Sequence, residues 1–205
     1  MTDWTMRWHL QLHMPHGSGH GGWVLRRAEA RDTEAVATLV NMAYRPQADH
    51  AGWTHEGHLV AGTRTTAKQV ADLLGSGSDV LLLHEGQQLV ACVHVQGDET
   101  HATIGMLAID PSRQRGGLGK LMLAHAESHA FDVFHAAKIH LWVLASRPEL
   151  LAFYERRGYQ RTGDTAPYPE DADVGQPLVA GLTLLCLSKP NRFFGSSMGA
   201  TNASG

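Results

Sequence analysis

The sequence predicts an α/β (α+β) fold, a mixed sheet of about seven strands flanked by about four helices. Three observations carry this. Hairpin-forming runs come first, a strand–helix–strand–helix unit follows, and "KIHLWVLA" (138–145) is apolar nearly throughout, as a strand covered on both faces must be. The 205 residues suffice for one domain with a real core.

In order, "WVLRRA" (23–28) reads as a strand, and Ala35, Val36, Leu39, Val40 and Ala43 recur at helical spacing behind it. Residues 45–65 read as a Gly/His/Trp-rich loop. "TTAKQVADLLG" follows as a short helix with a threonine cap and a glycine stop. "DVLLLHE" and "QLVACVHVQ", joined by Gly86-Gln87, make a hairpin, and "HATIGMLAID" is the next strand. A glycine-rich turn then opens a helix from about Leu118 to Phe131. After the inner strand, "PELLAFYERRG" is a helix with proline in its first turn and Gly158 at its stop. "YQRTG" and "LVAGLTLLCLS" complete the sheet.

The domain is expected to span 23–190, between a flexible His/Gly-rich leader (1–22) and a flexible tail (191–205). His9 and His13 have helical metal-ligand spacing, but no acidic or cysteine partner lies near them, and no metal site is expected. A net charge of −3 gives no support for a nucleic-acid or membrane-surface partner. No apolar run is long enough to span a bilayer, and there is no secretion-type apolar core, so a cytoplasmic location is expected. Cys92 and Cys186 both lie in apolar strands and read as buried free thiols.

"DPSRQRGGLGK" (110–120) carries the chemistry. A P-loop fails, because Gln114 stands where its first glycine belongs and Leu121 where its hydroxyl belongs. A dinucleotide fingerprint fails at Met122. The pattern Gln/Arg-x-x-Gly-x-Gly/Ala is met in full by Gln114, Gly117 and Gly119. Glycines there let consecutive main-chain N–H groups close on a diphosphate at a helix start, where the helix dipole adds positive charge. A plain strand-to-helix turn has the same letters.

Together with the strand before it, "LAIDPSRQRGGLGKLML" resembles the acetyl-coenzyme A signature of the GNAT superfamily of N-acetyltransferases. "LLAFYERRGYQRTG" resembles that family's second signature, in the right order and about forty residues on. The element order from Trp23 to Ser188 matches as well. The resemblance implies a splay between two parallel central strands, "IGMLAI" and "KIHLWVLA", that admits the pantetheine arm of acetyl-CoA, used as co-substrate. Main-chain groups of Met106, Leu107, Ala108 and Ile109 would pair with that arm, and amides of Gln114, Arg115, Gly116, Gly117, Leu118, Gly119 and Lys120 would hold the diphosphate. Arg113, Arg115 and Lys120 either add charge there or are simply solvated.

Tyr154 matches the family's tyrosine, which protonates the departing thiolate and contacts the coenzyme. Many members carry an asparagine at the position of Arg147, so its contact with the arm is an open question. The strand glutamate that serves several members as base is replaced by Thr103, leaving His101, Glu56 and His55 as candidates. The segment 44–64, with Tyr44, Trp53, Glu56 and Arg64, is expected to choose the acceptor, a small-molecule amine or a peptide. The resemblance is compatible with a homodimer. A silent acyl-CoA sensor on the same fold is the alternative, kept open by Thr103 and Arg147.

Overall fold

The computed structural model describes residues 10–12, 22–45 and 55–192; for 10–12 and Arg115 the description stops at the main chain. His9, His13, His16, His20, Trp53 and the tail beyond 192 lie outside the described residues. Among the described residues ten strands and four helices follow one another: β1 (Leu10–Leu12), β2 (Trp23–Arg27), α1 (Thr33–Tyr44), β3 (Val60–Ala61), α2 (Ala67–Asp72), β4 (Ser78–Glu85), β5 (Gln88–Gly97), β6 (Ala102–Ile109), α3 (Leu118–Asp132), β7 (Lys138–Leu144), α4 (Pro148–Glu155), β8 (Gln160–Pro167), β9 (Gln176–Pro177) and β10 (Thr183–Pro190). The main sheet runs β1-β2-β4-β5-β6-β7-β10-β8. Seven of these strands are those expected. The eighth, β1, comes from within the supposed leader and pairs antiparallel with β2, Leu10 opposite Leu25.

The core strands carry apolar side chains on both faces because helices cover both. Val80, Leu82, Cys92 and Ala108 pack with Val36, Leu39 and Val40 of α1 and Val70 of α2. Leu81, Leu83, Ala91 and Val93 face the other way, against Met122, Leu123 and Ala126 of α3 and Phe153 of α4. Among the described strands every pairing is antiparallel except β6 with β7, which needs a crossover and receives it as α3. Both cysteines are free and buried.

Local chemistry sets the ends of the helices. Thr66 caps α2 in a reciprocal box with Gln69: its hydroxyl accepts from the Gln69 amide at 3.2 Å, and Gln69 Oε1 accepts from the Thr66 amide at 2.8 Å. Ahead of α1, the Asp32 carboxylate receives both arms of Arg26, at 2.6 and 2.7 Å, and the Glu29 amide at 2.8 Å. The Arg26 guanidinium is the largest influence lowering Asp32, from its ordinary 3.8 to about 2. The stability this pair contributes is therefore in place above pH 4 and is lost as the pH falls toward 2. Asp32→Asn is expected to cost about 1 kcal/mol at pH 7 and nothing near pH 2, as read from urea midpoints at the two pH values.

Candidate active site

The sheet opens where β6 and β7 should run side by side. They pair only at Ala102–Ile139 and Thr103–His140, and from Ile104 onward they part. A bulge in β6 accompanies the parting. Cys92 faces Ala108 and His94 faces Gly105, so Met106 and Leu107 together stand opposite Val93. Met106 takes φ +50°, a left-handed value uncommon for a side-chain-bearing residue, and a bulge of this kind bends its strand away from a neighbour. The cleft that results has about 960 Å³ of empty space and is walled by Thr103–Leu107 on one side and Leu141–Leu144 on the other. The β7-facing edge of β6 beyond Thr103 has no described strand on it, which is the arrangement that accepts an extended amide-bearing chain.

At the end of β6 the glycine-rich turn forms in two stages. Asp110 Oδ1 accepts from the amide and hydroxyl of Ser112, at 2.9 and 2.7 Å, and a 3₁₀ turn from Pro111 to Gly116 follows. Gly117 then takes φ +78° and α3 begins at Leu118. A side chain at Gly116 or Gly117 would meet no described protein atom within 4 Å, and one at Gly119 would touch only Ile109 and Phe153 at 3.9 Å. The protein's own packing leaves that room empty. The bare main chain instead borders a second cavity of about 100 Å³, lined by Gln114, Gly117, Gly119, Lys120, Phe153 and Arg157 among others. A helix start at such a space, whose first N–H groups have no partner within the helix, two cations beside it, and glycines that keep side chains out of it fit the diphosphate of acetyl-CoA.

Within this turn Arg113 does not serve the cavity, because its guanidinium pairs with Glu85 at 2.7 Å. Arg157, not anticipated, does line it: its guanidinium lies 3.5 Å from the centre of the Phe153 ring and donates to the Phe153 carbonyl at 2.5 Å. The only signal in the sequence is its place in the second signature, three residues after Tyr154.

The two cavities meet. Tyr44, Leu107, Leu150 and Tyr154 border both. Tyr154 stands on α4, buried, with its ring edge-on to Phe153 and Tyr159 at 5.1 and 5.8 Å. No described residue bonds its hydroxyl, which is open to the cavities. Burial pushes this phenol well above its ordinary 10, so it holds its proton throughout the neutral range. Across the junction Tyr44 donates to the Leu107 carbonyl at 3.1 Å, tying α1 to the bulge, and burial raises it to about 12.

Of the three candidate bases, the fold brings one to the cleft; His55 borders neither cavity. Glu56 lines it, one oxygen held 2.6 Å from Arg45 and 3.9 Å from Arg64. His101 does not: it is exposed just before β6, its ring edge-on to His140 at 5.8 Å and 3.9 Å from Asp98, and it borders neither cavity. The reason is register. The cleft opens only beyond Thr103, and His101 precedes the part of β6 that is still paired with β7. Arg147 borders the acceptor cleft and not the diphosphate cavity, with its guanidinium on Glu149 and on the His55 carbonyl at 3.0 Å. Tyr168, Pro169 and Val174 add to the lining of the cleft. Tyr168 donates to the Val174 carbonyl at 2.9 Å, and Gly175, at φ +103°, lies so close to Ala61 that a Cβ would sit 2.6 Å from its carbonyl oxygen. Among the described residues no cluster of acidic, histidine or cysteine side chains could hold a metal ion.

Comparison with solved structures finds the same fold. The ribosomal-protein-S18-alanine N-acetyltransferase of Escherichia coli matches with a TM-score of 0.60 at 20% identity, over 82% of this chain and 93% of that one. Spermidine N-acetyltransferase of Vibrio cholerae, solved with CoA and spermine, matches with 0.60 at 16%, over 84% and 97%. A putative acetyltransferase of Salmonella typhimurium, solved with acetyl-CoA, matches with 0.58 at 18%, over 82% and 93%. No curated protein sequence matches the chain. The family model described as the acetyltransferase (GNAT) family matches residues 45–159. With more than half of its length covered by that match, the chain belongs to the GNAT family and is an acetyl-CoA-dependent N-acetyltransferase.

Proposed function

We propose that the enzyme acetylates a primary amine of a small molecule by direct attack, with both substrates bound at once. The observation that carries this is the meeting of two cavities at Tyr154, one fitted to the coenzyme's diphosphate and the other open to an acceptor. Bound acetyl-CoA supplies an activated thioester whose sulfur is the leaving group.

The residues divide the work. An unperturbed alkylamine is neutral in only about one molecule in two thousand at pH 7, so a proton must leave before attack. Glu56, the one carboxylate among the described residues lining the cleft, takes it directly or through a water. A main-chain N–H of the bulged strand near Leu107, fixed by the Tyr44 tie, donates to the oxyanion that develops on the acetyl carbonyl. Tyr154 gives its phenolic proton to the departing sulfur and regains one from the nitrogen, which sheds its second proton as the tetrahedral adduct collapses; the N-substituted acetamide and free thiol leave, and the proton held by Glu56 passes to solvent.

Thiol release from acetyl-CoA in the presence of a panel of amines tests the proposal. Release that depends on the acceptor is expected. Tight coenzyme binding with no acceptor-dependent release from any amine would make the protein a binding module and overturn it.

A further inference from the structure

We infer that the acceptor carries an anionic group, in the first instance a carboxylate, and that Arg64 is the residue that reads it; this rests on the acceptor-cleft reading above. The argument is one of charge balance within the cleft wall. Glu56 is matched by Arg45 at 2.6 Å, and Arg147 by the Glu149 carboxylate. Burial first, then the neighbouring His58 and Arg147, lower His55 below its ordinary 6.5 and favour its neutral form. Glu170 and Asp173 line a separate outer groove beside Lys68 and are not part of the cleft. Among these described residues three guanidiniums, of Arg45, Arg64 and Arg147, face two carboxylates, Glu56 and Glu149, and the excess positive charge falls on Arg64, which shares Glu56 only at the long distance of 3.9 Å.

Arg64 is also placed to use that charge. Its side chain is only 29% exposed, and its Nε stands 3.9 Å from Glu56, beyond hydrogen-bond range. No described residue bonds its two terminal nitrogens. The guanidinium lies over the Tyr44 ring, 5.6 Å from its centre, and Tyr44 is one of the four residues at the junction with the coenzyme cavity. The main chain beneath it is clamped: Asn41 Oδ1 accepts from the amides of Arg64 and Thr65, at 2.7 and 3.2 Å, while Asn41 Nδ2 donates to the Thr65 carbonyl at 2.8 Å. A planar fork of donors held in place in a half-buried site is the geometry that takes a carboxylate through two parallel hydrogen bonds. It equally repels a polycation.

Arg64 lies over Tyr44, which borders both cavities, so the amine and the anion are placed on the same small molecule. Tyr168, Pro169 and Val174 wall the same cleft, which suits such a compact acceptor. Free amino acids, including those with terminal amines, have this chemistry.

The test is a set of matched acceptors at pH 7.5: glycine, alanine, β-alanine and 4-aminobutyrate, each against its own carboxamide, with spermidine and an acidic tetrapeptide alongside. The amide of an α-amino acid has the less basic amine and so the larger neutral fraction, which means chemistry alone favours it. The expected result is nonetheless a kcat/KM at least about 10-fold higher for an acid than for its amide, with spermidine poorer still. Arg64→Gln is expected to raise KM for the acid roughly 10–100-fold with kcat changed by less than about threefold, and to bring the acid-to-amide ratio near one. Arg64→Lys keeps the charge but not the fork and should recover part of the loss. An unchanged thermal midpoint in both variants shows that the fold is intact. Equal or better use of amides or spermidine overturns the inference while leaving acetyl transfer standing. Preference for the peptide over every free amino acid overturns it too. If no amine of any class is acetylated, the transfer reading itself fails, and the inference with it.

Discussion

Tyr154→Phe is expected to lower kcat by about 10²–10⁴-fold with the KM for acetyl-CoA changed by less than about threefold, the range for loss of a positioned general acid. The substitution removes one atom and nothing else of consequence. The ring keeps its edge contacts with Phe153 and Tyr159, and the hydroxyl has no bond to any described residue that the fold would miss. Stability should therefore fall by less than about 1 kcal/mol, so a large loss of turnover reports on chemistry. Burial raises the phenol far enough that it is protonated at any pH near neutrality, and no loss of activity from its ionisation should appear below pH 9. Steady-state kinetics of both proteins from pH 6 to 9, with thermal midpoints, checks this. Wild-type turnover in the variant would reduce Tyr154 to a wall of the cavity.

Gly117→Val should cost at least about 10² in acetyl-CoA affinity, read by calorimetric titration. Two effects act together. Gly117 sits at φ +78°, where a β-branched residue is strained by about 1–3 kcal/mol. An added Cβ would also meet no described protein atom within 4 Å, so the side chain starts into open space beside the main chain of the turn. Each charge-assisted N–H bond to a phosphate is worth about 1.5–3 kcal/mol, so losing one or two accounts for the expected drop. Gly117→Asn separates the effects, since asparagine tolerates the left-handed region and still adds bulk. It should fold normally and bind weakly. Normal binding by either variant would show that the turn is only a turn.

Both of these residues are legible in the order of letters along the chain, and for the same reason. A diphosphate cradle is a stretch of consecutive amides with the glycines that expose them, and the tyrosine lies on a short helix read from one contiguous signature. Helix starts and stops are equally local, as Thr66, Gln69 and Pro148 show. The strands are less so. β8 runs to Pro167 instead of stopping at Gly163, because an edge strand exposed on both faces has no apolar alternation to reveal it. Conversely, β10 begins at Thr183: Leu178 and Val179 are apolar letters that the fold leaves exposed in a loop. Three residues of β1 are too few for any period to show.

Family, coenzyme and the proposed acid are thus written in the order of the residues, because each depends on neighbours along the chain. The base, the acceptor side and the second cation at the diphosphate cavity are not. Glu56 and His101 are equivalent candidates as letters, and only the two-residue length of the β6–β7 pairing puts one at the cleft and leaves the other outside it. The bulge at Met106 and Leu107 has no glycine to announce it. The excess positive charge at Arg64 exists only after Arg45, distant in sequence, has taken the short contact with Glu56 and Glu149 has taken Arg147. What is decided by contact between remote segments is decided by packing, and packing belongs to the folded chain.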